Sequence, residues 1–556
     1  MVAQYSTDRA AAVDHARVNR YAPGATSGSA LPRSGHEAMR HTHHAAALLL
    51  GAAILLGACD DDGAQTSSNA ADAGSNATAD AQSDTDDPSP DATPDATEAG
   101  TTGLPVVHEA DPDRAEAGLE HLQRGWFGPG LAPRLGLRHV YLTWPGSLVS
   151  KVGYVTDEPG YWRAFRARYG FEEAPWDNDG LPLGLREGDP GEVAIDCLAC
   201  HAGRVPGGEV VIGLGSGRVD LEGLHDDLVR LPEVARELQD AGLPEPYGSV
   251  IAAIDVPEEI LAIEAIDGTT GAAGASDGFG LGVALGFEAL DADPSLHRRY
   301  GFQDPPAWFT HRHKARMYTD GSVAVGAHRT MMATLLVSRM GWSEIAALDP
   351  TFTDVSQAMW ALPIPRWRDV RPEPIDATRA AEGRALFAAA CASCHGTYEG
   401  PDAAYPDLVV DAAEVGTDPV RAARLGPGEA EAINTLMADP DYPMTPTGGY
   451  LAPPLVGVWA TAPYLHNGSV PDLAALLNPA ERPALWRRLG SDPEHFDPDR
   501  VGWRFDTPAE PGDPLTVEGR RTYDTTREGL SNAGHTYGAD LSEAERAALL
   551  EYLKTL

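Results

Sequence analysis

The sequence is expected to fold as a mainly α-helical chain carrying two domains built around one repeated pattern, and three observations predict this. The pattern Cys-x-x-Cys-His occurs twice, as Cys197-x-x-Cys200-His201 and Cys391-x-x-Cys394-His395. An alanine-rich stretch through Gly383-Arg384-Ala385-Leu386-Phe387 runs directly into the second copy. Near the C-terminus, Ser542-Glu543-Ala544-Glu545 has the form of a capping box, and Leu549, Leu550, Leu553 and Leu556 follow on one side with Tyr552 beside them. A chain of 556 residues exceeds one ordinary core and has room for two or three domains.

The N-terminal elements read as an address. From Met39 the chain runs Met-Arg-His-Thr-His-His, then is uncharged from Ala45 to Ala58, then reaches Cys59 and three aspartates. A basic n-region, a short apolar run and small residues before a cut site form an export signal, and the run is too short for a membrane-spanning helix. Leu56-Gly57-Ala58-Cys59 looks like a lipobox, so Cys59 is the expected lipidation site, residues 39–58 the signal peptide and Met39 its start, with 1–38 lying upstream. Residues 59–103 carry no aromatic side chain and no Lys or Arg. Such a segment cannot bury enough apolar surface to offset its ordering entropy. It is expected to be a flexible acidic tether holding the rest off an anionic membrane surface, facing the periplasm or the cell surface.

Charge narrows the partners. Lys plus Arg total 42 against 82 acidic residues, a net charge of -40, which argues against nucleic acid and suits solubility and basic partners. Of five cysteines, one is Cys59 and four lie in the two repeats, leaving none for a disulfide.

Cys-x-x-Cys-His is the pattern of c-type haem attachment. The thiols form thioethers with the haem vinyl groups, and the adjacent histidine ligates the iron. A zinc site would pair two Cys-x-x-Cys ends at closer spacing, and a thioredoxin-like pair would sit near a βαβ pattern. Two covalent haem c groups are therefore expected, on Cys197, Cys200 and His201 and on Cys391, Cys394 and His395. The second pattern and its helices resemble the class I cytochrome c fold, in which a glycine and an aromatic on the first helix pack against an aromatic-bearing last helix. That resemblance assigns residues 371–556 to a cytochrome c domain. Gly191 to Asp196, ahead of the first pattern, is shorter and less regular, so residues 104–370 are expected to form a divergent haem domain with long loops and no such leading helix.

Further segments carry a closer resemblance. Gly449-Tyr450-Leu451-Ala452-Pro453-Pro454-Leu455 and Trp459 to Val470, with Tyr464-Leu465-His466-Asn467-Gly468-Ser469, resemble the bacterial di-haem cytochrome c peroxidase superfamily, most closely its rubber-oxygenase branch. Gly213-Leu214-Gly215-Ser216-Gly217, Pro305-Pro306-Ala307-Trp308-Phe309 and Ser531-Asn532-Ala533-Gly534-His535 add to it. The resemblance implies that His466 lies near the haem without ligating it. Met437 and Met444 precede the Tyr464-Leu465-His466 segment, whereas the axial methionine of the peroxidases follows it, which leaves His495, His535 or a tyrosine. By context His535 matches the distal histidine of the rubber oxygenases, implying a bis-histidine second haem.

For the first haem the distal side decides function. The run Asp277 to Glu288 is largely apolar and ends in one carboxylate, making Glu288 a catalytic candidate, and Trp308 is a candidate relay between the haems. His311, His313, Lys314, Met317 and His328 are other pocket candidates, while Lys314, Arg316 and Arg329 could neutralise propionates or face solvent. These features imply an exported oxidoreductase of the peroxidase type that uses peroxide or O2. The alternatives are an O2-dependent dioxygenase and a pure electron carrier. A small redox protein or a quinol-linked donor would supply electrons.

Overall fold

The computed structural model describes residues 104–125, 132–151, 153–187, 192–242, 271–278, 280, 300–333, 336, 340–439 and 441–556. Cys59, Glu288 and the expected signal and tether lie outside them. The described residues fall in one compact unit, Ala99–Leu556. The fold is mainly helical, 43% helix against 12% strand. Among the described residues no helix is long and apolar enough to cross a membrane.

Helix α1, Pro112–Arg124, starts where Asp111 accepts from the amides of Asp113 and Arg114 and proline occupies the first turn. Helix α2, Glu158–Tyr169, is capped by Asp157, and after it come the short strands β1, Leu185–Glu187, and β2, Glu192–Ile195, which pair antiparallel. Strand β2 delivers the chain to the one-turn helix α3, Leu198–His201. Helix α4, Leu221–Asp240, packs with α2 around an aromatic cluster of Tyr161, Trp162, Phe165 and Tyr169 with Leu224, Leu228 and Leu231. Inside it Arg168 pairs with Asp227 at 2.7 Å and the Tyr169 hydroxyl donates to the same carboxylate at 2.6 Å. Buried charge persists only when satisfied in this way. Thus much of what was expected as long loops has helices and a core of its own.

Helix α5, Asp349–Ala361, lies along α1, and the two backbones touch at Gly118, where a Cβ would stand 2.0 Å from the Asp354 carbonyl oxygen. The C-terminal region repeats the device. Helix α6, Ala377–Ala390, crosses the last helix, α10, Glu543–Leu553, and a Cβ on Gly383 would stand 2.0 Å from the Ala548 carbonyl oxygen. Phe387 and Tyr552 meet there with ring centroids 5.2 Å apart, and Ser542 and Glu545 form the capping box. Glycine and aromatic therefore pack as the class I cytochrome c resemblance implied.

Between these helices lie α7, Ala392–His395, α8, Pro427–Met437, and α9, Leu473–Leu477. Strand β3, Val409–Asp411, pairs with β4, Gly449–Leu451, which leads into Pro453. One apolar cluster runs through Leu122, Leu198, Trp308, Phe352, Phe387, Trp459 and Tyr552, so packing is continuous across residue 370.

Candidate haem sites

At the C-terminal site, α6 carries the chain to Cys391, whose amide donates to the Phe387 carbonyl at 2.8 Å, and the single turn α7 adds Cys394 and His395. His395 Nδ1 lies 2.8 Å from the carbonyl oxygen of Pro453. A carbonyl only accepts, so Nδ1 holds the proton and Nε2 keeps its lone pair for a metal. Tyr398 fixes the same turn, its hydroxyl donating to the His395 carbonyl at 2.7 Å while accepting from the Leu455 amide at 2.7 Å. Burial lowers the His395 pKa, favouring the neutral, ligating imidazole.

The ring of His535 stands across from that of His395, centroids 6.2 Å apart and planes at 60°. Metal–imidazole bonds are about 2 Å, so two imidazoles sharing one metal from opposite sides have centroids about 6 Å apart. Burial, then repulsion from His395 and Arg482, pushes the His535 pKa down to about 4. His535 has a left-handed backbone, φ +44°, and its amide donates to the Val415 carbonyl at 2.8 Å. Gly534, at φ +75°, is required there, since a Cβ would meet the Gly416 backbone at 2.2 Å.

The segment leading to His535 is fastened by the motif that sequence singled out. Asn467 donates to the Gly529 and Ser531 carbonyls at 3.1 and 3.0 Å, and Ser469 to the Ser531 carbonyl at 3.1 Å. Both side chains are fully buried. His466 itself stacks on Tyr450 at 4.1 Å, and burial pushes its pKa down to about 3, helped by the Arg421 charge. His495 sits in the turn Pro493–His495 and makes no ring contact with His395. Met437 and Met444 are buried along α8, where Asn434 brackets Met444 with two hydrogen bonds.

At the N-terminal site, Asp196 accepts from the Leu198 amide at 2.7 Å and starts α3. Arg186, from β1, pairs with Asp196 and also donates to the Leu122 carbonyl at the end of α1. His201 repeats the arrangement of His395, with Nδ1 3.2 Å from the Pro306 carbonyl. Trp308 stacks on the imidazole, centroids 4.5 Å apart and planes at 22°. A backbone ladder fixes this pair, the Gly213 amide donating to the His201 carbonyl and the Trp308 amide to the Gly213 carbonyl, each at 2.7 Å. Among the described residues Trp308 is the ring partner of His201. Burial pushes the His201 pKa down to about 4.

The remaining candidates divide. His311 is buried, and its Nε2 has no hydrogen-bond partner. Lys314 is buried too, its pKa lowered to about 8 by desolvation against the pull of Asp407. Met317 is buried in the main apolar cluster. His313 is tied to the Pro105 carbonyl, His328 to the Ser356 hydroxyl, Arg329 to Asp349 and Arg316 to Asp407, which gives each a structural partner.

The residues fit haem c. Each cysteine pair lies on one helical turn beside a histidine with a free Nε2, and no disulfide joins either pair. Burial pushes the Cys197 and Cys200 thiols up to about 12 and the Cys391 thiol to about 11, the reverse of the depressed pKa that a reactive redox pair needs. A second imidazole opposite His395 and the orphaned Nε2 of His311 are further signs of a buried group. The proline carbonyls were not singled out in advance, yet each lies in a Pro-Pro step, Pro305-Pro306 and Pro453-Pro454, inside a segment that the sequence had marked.

Comparison with known proteins supports this reading for the C-terminal region. Residues 380–455 match the Cytochrome c family, and residues 449–487 match the family RoxA-like, cytochrome c-like. Two relatives are from Sinorhizobium fredii (strain NBRC 101917 / NGR234). "Uncharacterized protein y4iJ" is 31% identical over 257 residues, which is 34% of this chain and 41% of the relative. "Uncharacterized protein y4iM" is 29% identical over 266 residues, 42% of this chain and 56% of the relative. The chain therefore spans about half the length of the curated relatives it matches. Its C-terminal region is a cytochrome c domain with a RoxA-like segment, and such domains carry covalently bound haem c.

Proposed function

We propose that the chain is an exported di-haem c-type cytochrome, lipid-anchored at Cys59, in which the C-terminal haem passes electrons and the N-terminal haem reacts with peroxide or O2. The carrying observation is the contrast between the two histidines. His395 has an imidazole across from it at 6.2 Å, whereas the ring partner of His201 among the described residues is Trp308, stacked on its face. When bound, haem c supplies a one-electron change and, where an axial position is open, a place for a small ligand.

Cys391, Cys394, His395 and His535 would hold one group, and Cys197, Cys200 and His201 the other. Trp308 is suited to a relay. Its neighbour Phe309 packs on Gly457, where a Cβ would stand 2.9 Å from the ring, and Gly457 ends the strap whose Pro453 carbonyl orients His395. The acidic balance suits a basic redox protein as donor.

The RoxA-like match over 449–487 falls on the segment that resembles the rubber-oxygenase branch, which supports keeping O2 beside peroxide as a candidate oxidant.

The test is spectroscopic. The exported protein should carry two haems through four thioethers, with His535→Ala converting one of them, and only one, from low-spin to a species that binds added imidazole. Stopped-flow mixing of the reduced protein with O2 and with peroxide should perturb the other haem first. If neither oxidant perturbs that haem faster than outer-sphere oxidation, the protein is an electron carrier and the reactive-site reading is wrong.

A further inference from the structure

The strained backbone of His535 raises the question of what keeps it in place. A non-glycine residue in the left-handed region persists only where its surroundings over-determine it. Tracing the carbonyls around His535 leads to one side chain that none of the marked motifs contains, Arg482.

The Arg482 guanidinium is half-buried and donates five hydrogen bonds, all to backbone carbonyls. Nη1 donates to Asn532 and Gly534, both at 2.7 Å, and Nη2 to His535 at 3.0 Å. On its other side Nη2 reaches Leu476 at 2.9 Å and Nε reaches Ala475 at 3.1 Å. Ala475 and Leu476 belong to the last turn of α9, whose carbonyls have no partner within the helix. Among the described residues no carboxylate pairs with Arg482. A planar fork with donors on two edges can bridge two backbone segments in fixed geometry, which a lysine ammonium cannot do.

We propose that Arg482 is a positioning residue for the C-terminal haem. Its fork ties the 532–535 segment to the C-terminus of α9 and thereby sets whether His535 stays opposite His395. The inference rests on the reading of His535 as second axial ligand. It adds that the stability of this ligation is written in a residue that touches neither the haem-bearing histidine nor the His535 ring. The function is geometric: the positive charge alone does not suffice, because three of the five bonds fix the carbonyls on which the His535 backbone hangs.

The experiment uses the exported, haem-loaded full chain as wild type, R482M, R482K and H535A. Ferric spin state and the rate of cyanide binding at the C-terminal haem are measured, with haem content and thermal midpoint recorded for each. H535A shows which spectral component belongs to the opened site. R482M and R482K should both raise the cyanide on-rate by about tenfold or more, the factor matching loss of one or two such hydrogen bonds. The other haem should remain as in wild type. If R482K behaves as wild type while R482M opens, charge rather than the fork holds the segment and the proposal is overturned. If H535A opens the site and both Arg482 variants stay low-spin and slow, the proposal also falls, with the axial-ligand reading intact. If H535A leaves the haem unchanged, the ligand reading itself fails and the proposal goes with it. Should R482M not mature, G534A provides the second strain on the same segment. Opening of the site in both G534A and R482K supports the proposal, and a closed site in R482K refutes it.

Discussion

The two Cys-x-x-Cys-His turns are supported alike and reached differently. In each, the histidine Nδ1 is fixed by a proline carbonyl, Pro306 for His201 and Pro453 for His395. In each region, two helices cross through a glycine, Gly118 against Asp354 and Gly383 against Ala548. Both glycines are followed four residues later by an apolar side chain in the core, Leu122 and Phe387. In the C-terminal region, however, α6 runs straight into Cys391. In the N-terminal region, residues 125–196 intervene between α1 and Cys197, with α2 and an aromatic cluster among them. Space closes the gap that sequence opens, because Arg186 joins the Leu122 carbonyl at the end of α1 to Asp196 beside Cys197. A long segment between a helix and its motif is compatible with their closeness in space when its two ends are pinned by a buried polar bridge, since closure entropy grows only slowly with length.

The largest test of this comparison is the bridge itself. Arg186 and Asp196 are both buried, and removing one partner of a buried ion pair costs about 3–5 kcal/mol because the other charge is left uncompensated. Arg186→Met should lower the denaturation free energy by that amount and reduce haem attachment at Cys197 and Cys200 while leaving Cys391 and Cys394 loaded. Denaturant titration and peptide mapping would read both effects. A change under 1 kcal/mol would mean that α1 is not tied to the first motif through Arg186.

The glycine crossings come next. Gly118→Val and Gly383→Val each force a side chain onto a carbonyl where a Cβ alone would stand at 2.0 Å. Overpacking of this kind costs about 1–3 kcal/mol or more. Similar losses in the two variants, measured as shifts in thermal midpoint, would establish the crossings as counterparts. A tolerated Gly118→Val would restrict the cytochrome-like helix pair to the C-terminal region.

The last test concerns pH. His466, in the motif beside the C-terminal site, has its pKa pushed down from 6.5 to about 3 by burial. Between those values the unfolded chain binds more protons than the folded one, so stability rises with pH there and falls on acidification. His466→Gln, which stays neutral, should flatten the decline of the thermal midpoint between pH 6.5 and pH 4. An unchanged slope would mean that other groups carry the acid sensitivity.

Much of the candidate site was legible because covalent haem attachment demands adjacent residues. Cys197, Cys200 and His201 share one turn, as do Cys391, Cys394 and His395, so the spacing is visible without a fold. The helix pair of the C-terminal region was legible for the same reason, since Gly383 and Phe387 lie next to Cys391 and the capping box marks α10. Helix α1 escaped notice because it is far from Cys197 in the chain. Arg186, Asp196 and Arg482 escaped because an arginine reveals its partner only when the partner is near in space.

Local sequence was enough for the two Cys-x-x-Cys-His turns, the acidic character and the helical frame around the second motif. These follow from local spacing and composition, which folding does not alter. Only the folded chain shows that Pro306 and Pro453 orient the histidines and that Trp308 stacks on His201, and it places His535, which context in the sequence had already favoured over His495, across from His395. Each of those depends on the meeting of segments remote in the chain, where a carbonyl or an imidazole acquires its role only from the atom that packing brings opposite it.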